Sequence, residues 1–167
     1  MESSDEINMF SERRADDLMI RGLAAVEDGD YISALHEFKA SAFCLASSEA
    51  LTHWGWMEHH LGDTDKAIDL CKRAITVEPE FGNPYNDIGS YLVASGRAEE
   101  SVEWFEKAIH SKNYVPRQYP HINLGKVYLA TDRVEQALFH FEQALALQPE
   151  DEDIRDLVDS LRIELQS

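Results

Sequence analysis

The chain has 167 residues, enough for one compact domain or one short array of repeats, and its 44% hydrophobic share is ordinary for a globular protein. Thirty-two acidic residues against 15 basic ones leave a formal charge of −17. Such a field repels phosphate backbones and anionic headgroups, which excludes nucleic acid and membrane surfaces as expected partners.

The first residues, Met1 to Glu6, are acidic where a secretory leader begins basic, and no apolar run reaches the length of a membrane span. A cytoplasmic protein is expected. Residues 1–14 form an N-terminal extension in which Ile7 and Phe10 either prolong the first helix or pack on it, with a frayed tail as the alternative. Cys44 and Cys71 each fall inside an apolar helical pattern and read as small buried thiols.

From residue 15 the chain repeats. Gly22, Gly55, Gly89 and Gly125 stand at steps of 33, 34 and 36 residues. Seven residues after them come Gly29, Gly62, Gly96 and Asp132, and five further on come Ala34, Ala67, Ser101 and Ala137. Phe38, Cys71, Phe105 and Phe141 follow, then Ser41, Ala74, Ala108 and Ala144. Small residues at fixed places let neighbouring helices approach closely, and a large residue nearby fills the space beside them. The glycines of the second column end apolar-periodic stretches, as a left-handed helix stop requires. Asp30 and Asp63 come next and can cap the following helix. Pro84 and Pro120 open first helices, where a missing N–H costs least. The predicted organisation is four helix–turn–helix units at approximately 15–47, 48–81, 82–117 and 118–150, without strands. A two-residue insertion around Tyr114–Arg117 precedes the fourth unit. Ile154, Leu157, Val158, Leu161 and Leu165 then form one helical stripe, predicting a C-terminal capping helix over 151–167.

These residues carry a resemblance. Trp54-Gly55, Gly62-Asp63, Ala67, Ala74 and Pro79, echoed by Tyr85, Ile88-Gly89, Leu124-Gly125 and Tyr128, resemble the tetratricopeptide-repeat (TPR) pattern over roughly residues 15–149. The departures are Arg21 before the first glycine, Glu58 in a column commonly aromatic, and His121 in the column of Tyr85. The resemblance implies an all-α, right-handed superhelical solenoid of about four repeats that binds a partner on the free face of each first helix.

At 100° per residue, Leu51, Trp54 and Leu61 cluster as the packing side of their helix, and His53, Trp56 and His60 fall roughly opposite. A tryptophan opposite the core stripe is expected at a contact surface. Carrying that face along the repeat gives a partner-binding groove of Met19, Leu23, His53, Trp56, His60, Asn86, Ser90, Val93, Tyr119, Asn123 and Lys126. Amides suit a peptide backbone because each offers a donor and an acceptor. The lysine, arginine and asparagine set with which chaperone-tail-binding TPR proteins clamp a terminal carboxylate is lacking: Met19, Leu23 and His53 stand where its first members would be.

His53, His59 and His60 lack the i, i+4 spacing that lets two imidazoles share an ion, so no metal is expected, and no cofactor either. Phosphate-loop, nucleophile and metalloprotease motifs are absent from the sequence, which reads as non-catalytic. The expectation is a protein–protein adaptor, co-chaperone-like, holding a peptide segment. Its alternative is a self-assembling homo-oligomeric scaffold.

Overall fold

The structure, a computed structural model, describes residues 4–166. Met1–Ser3 and Ser167, the outermost positions of the predicted extension and cap, lie outside the described residues, as does the side chain of Ile7. Nine helices run in chain order among the described residues: α1 (Ser4–Glu27), α2 (Tyr31–Cys44), α3 (Ser48–His60), α4 (Thr64–Val77), α5 (Asn83–Ala94), α6 (Ala98–His110), α7 (Gln118–Ala130), α8 (Val134–Leu147) and α9 (Glu152–Glu164). Among the described residues the one departure from helix and loop that pairs backbone is an isolated bridge, Phe81 with Asn113. The extension continues α1 back to Ser4.

The helix breaks follow from backbone sterics. Gly29, Gly62 and Gly96 have φ of 75°, 100° and 76°, where a Cβ would meet the neighbouring carbonyl. Asp132 holds the fourth such place at φ 59°, tolerable because its short polar side chain suits the left-handed region. The chain then re-enters helix at a cap: Asp30 accepts from Ser33 N at 3.0 Å and Asp63 from Lys66 N at 3.1 Å. Ser47 and Asp151 do the same for α3 and α9, accepting from Ala50 N and Ile154 N.

The chain divides into two units, one ending at Pro79 and one starting at Glu80. In the first, α1 packs on α2, α2 on α3 and α3 on α4. Phe38, Leu51, Trp54, Met57 and Leu70 form its core among the small residues Ala34, Ala50 and Ala74. Cys71 is buried and Cys44 half-buried. Leu61, expected on the packing side of α3, is instead its C-cap and is 44% exposed, because the helix stops before that residue completes the stripe. Glu58 explains its odd column: it is buried and accepts from both the Trp54 indole N–H at 2.7 Å and Lys66 Nζ at 2.7 Å. A carboxylate sits there because two donors satisfy it.

In the second unit α5 packs on α6, α6 on α7, α7 on α8 and α8 on α9. Phe105, Leu124, Tyr128 and Phe141 form the core, closed by Ile154, Val158 and Leu161 of α9. Leu165, predicted as the last member of that stripe, is the exposed C-cap of α9. The inserted loop before α7 is folded back. Gly82 N donates to Asn113 O at 2.9 Å and Asn113 N to Glu80 O at 2.9 Å. Tyr114 is buried against Gly82, where an added Cβ would lie 2.4 Å from that of the tyrosine.

Candidate partner-binding faces

Each predicted groove residue lies on a first helix of a pair, and the two units present them separately. On the first unit, Trp56 of α3 is 38% exposed and its indole meets the His53 ring edge-on at 6.4 Å. His53 Nδ1 pairs with Glu49 O at 2.9 Å, and its ring leans on buried Phe38 at 5.0 Å, so its orientation is fixed from both sides. His60 lies over Tyr31 of α2, with ring centroids 4.0 Å apart, which turns it toward the helix pair it borders. Met19 of α1 is half-buried against the unit's core, whereas Leu23, one turn on, is exposed. The structure thus pairs His53 with Trp56, leaves Leu23 open, and spends much of Met19 on packing.

On the second unit the predicted residues converge. Ser90 and Val93 of α5 and Asn123 and Lys126 of α7 line one cavity of about 350 Å³, walled by Ala98, Val127 and Ala130 with Phe105 at its floor. Asn123 Nδ2 donates to Asn86 Oδ1 at 3.0 Å, tying the two helices across the mouth. Ser90 Oγ donates back to Asn86 O at 3.0 Å, so that hydroxyl is already engaged by its own helix. Tyr119, at the start of α7, is half exposed and outside the cavity wall. The arrangement offers an apolar hole with an amide pair on its rim and one ammonium. Those are the parts that seat a side chain and orient the backbone around it.

One residue of this face escaped the sequence reading. On α5, Asn83, Asn86, Asp87, Ser90, Val93 and Ala94 fall within about 120° of one another, opposite the buried Pro84, Ile88, Tyr91 and Leu92. Asp87 therefore shares the open face. Its carboxyl is pushed up to about 7, chiefly by burial and partly offset by its hydrogen bond with the Asn86 side chain. The same helix-angle arithmetic would have placed Asp87 on this face, but the burial that alters its acidity depends on non-local packing. Tyr114 lies close enough for the Asp87 charge, after burial itself, to push its phenol well above the usual range.

On α7 and α8, His121 Nδ1 stands 3.1 Å from His140 Nδ1, so one imidazole donates to the other. His140 also stacks on Tyr128 at 5.4 Å. Burial, then the neighbouring His121, holds His140 down at about 4, and burial lowers His121 as well.

Stacked helix pairs, each leaving one side of its first helix uncovered, define a helical-repeat scaffold, a class that acts by presenting surface. The chain belongs to the tetratricopeptide repeat family, whose profiles match residues 48–81, 83–113 and 119–151. The matches begin at α3, leaving out the pair that carries Arg21. Similar proteins include small glutamine-rich tetratricopeptide repeat-containing protein 2 of Mycosarcoma maydis, 31% identical over 97 residues, or 58% of this chain and 28% of that one. Photosystem I assembly protein Ycf3 of Prochlorococcus marinus is 30% identical over 110 residues, 59% of this chain and 64% of that one. The chain thus spans less than two thirds of either relative. Among solved structures, that of pilF from Pseudomonas aeruginosa superposes with a TM-score of 0.84 at 19% identity, covering 93% of this chain and 71% of that one. The first TPR of Spaghetti (RPAP3), bound to an HSP90 peptide, superposes at 0.63 and 16% identity, covering 73% and 95%.

Proposed function

We propose that the chain is a non-catalytic adaptor of the cytoplasm that holds a segment of a partner protein on the open faces of its first helices. The observation that carries this reading is the meeting of Ser90, Val93, Asn123 and Lys126 around one cavity of about 350 Å³. A hole of that size takes one or two side chains, and the Asn86–Asn123 amides beside it supply the backbone contacts. Membership of a repeat family and a peptide-bound structural neighbour support the same use of the face. The ligand differs in kind from a heat-shock-chaperone tail, since Met19, Leu23 and His53 replace the carboxylate-clamping side chains.

Affinity isolation from native extract tests the reading with two variants. Val93→Asp puts a charge at the cavity mouth, and Trp56→Ala removes the exposed indole. Both residues are partly exposed, so helical circular dichroism is expected to stay unchanged while partner retention falls, by about 2 kcal/mol or more for the tryptophan. Partners retained equally by all three proteins would overturn it. The second reading, self-assembly, rests on α1, where Phe10 and Ile20 are 73% and 65% exposed. Light scattering of the full chain across micromolar concentrations separates the two, a monomer removing the scaffold.

A further inference from the structure

Asp87 is the one acidic residue on the open face of α5. Among the described residues no lysine, arginine or histidine comes within ion-pair distance of it. It is half-buried and within electrostatic reach of Tyr114, which Tyr119 also faces. The ion-paired acids of this unit lie on α6, α8, α9 and the loop before α5, Glu99 with Arg133 and Glu142 with Arg162 among them. A carboxyl in such a place either stays protonated or waits for a cation that the chain does not supply.

Resting on the reading of this face as a peptide site, we propose that Asp87 receives a cationic side chain, arginine or lysine, from the bound segment, set at a fixed spacing from an apolar residue that enters the neighbouring cavity. Three features support that choice of partner. The chain carries 17 excess negative charges, so a basic segment is drawn toward it and an acidic one is repelled. Asn86 connects the two subsites: its oxygen accepts from Asn123 at the cavity rim, and its side chain also hydrogen-bonds the Asp87 carboxyl. Tyr119, 50% exposed and like Asp87 within electrostatic reach of buried Tyr114, adds an open ring face, against which a guanidinium packs well. Burial, which now holds the carboxyl up near neutrality, becomes an advantage once a cation arrives, because the pair then forms away from bulk water.

The test pans the full chain against a random heptapeptide display library at pH 7.5 and low salt. Enriched peptides are expected to share an arginine or lysine spaced constantly from a bulky apolar residue. Synthetic copies should bind Asp87→Asn at least tenfold more weakly. Replacing the arginine with citrulline should cost as much in the natural chain and nothing further in Asp87→Asn, as a direct pair requires. The carboxyl carbon of Asp87, followed by NMR, should titrate near neutrality alone and fall to the ordinary carboxylate range with peptide bound. Enriched peptides without a basic position, or equal affinity for Asp87→Asn, overturn the proposal while leaving the face intact. Enriched peptides unaffected by Val93→Asp, or no enrichment at all, overturn the underlying reading and the proposal with it.

Discussion

At Gly89 an added methyl would lie 2.6 Å from the Phe105 ring, at Gly125 2.7 Å from Phe141, and at Gly22 2.5 Å from Phe38. The aromatic ring of each second helix is seated directly on the glycine of its first helix. The exception is Gly55, opposite Cys71, where the nearest atoms are Ala67 O at 3.1 Å and the cysteine sulfur at 3.4 Å. Two glycines of one column therefore differ in what they can accept. Gly89→Ala should lose about 1–3 kcal/mol by overpacking a ring that has nowhere to go. In Gly55→Ala a small shift of the Ala67 carbonyl is offset by a gain of up to about 1 kcal/mol in helix propensity. Urea unfolding of the two variants checks this, and equal losses would show that the rings do not set the spacing.

At the scale of elements, the contact between α7 and α8 contains a titration. Both His121 and His140 are held less basic than a free imidazole, so the unfolded chain binds more protons than the folded one between about pH 4 and 6.5. Stability contributed by this pair is complete above the unfolded value near 6.5 and drains away as pH falls toward 4. Tyr128 and Phe139, the other rings against His140, stay uncharged through that interval, and Arg117 lies beside His121 in the same hollow. His140→Phe should keep the stacking and flatten the fall in melting temperature from pH 7 to pH 5. An unchanged slope would remove the pair from the account.

The same scale shows what sequence can and cannot disclose. Helix ends were legible because their causes are local: Gly29, Gly62 and Gly96 need left-handed backbone, and Asp30 and Asp63 cap within three residues of themselves. That Ser90, Val93, Asn123 and Lys126 share a face followed from carrying the α3 face along the repeat under the family resemblance, whereas the cavity between them was not foreseen. What escaped depends on distant partners. His121 and His140 are 19 residues apart on different helices, Glu58 is explained by donors from two helices, and Asp87 owes its acidity to burial near an inserted loop. Leu61 and Leu165 were misread for a simpler reason, since a periodic stripe does not reveal where the helix beneath it stops.

Over the whole molecule the excess of acid is the dominant long-range term. Acids outnumber bases by 17, and the ion pairs among the described residues are largely exposed, so mutual repulsion opposes the folded chain. Raising sodium chloride from near zero to about 0.15 M, where screening acts over about 8 Å, should therefore raise the melting temperature. It should also weaken capture of any basic segment. Both readings come from one thermal-shift and one binding series, and a melting temperature that falls with salt would show that attractions outweigh repulsions.

The two backbone bonds that join Glu80 and Gly82 to Asn113 close α5 and α6 into a cassette whose beginning and end touch. A segment with adjoining ends can be removed or copied without opening a gap that new linker must span, so the entropy of joining its flanks hardly changes. The length of the array is then cheap to edit by whole helix pairs, and a deletion of half a pair is the costly error.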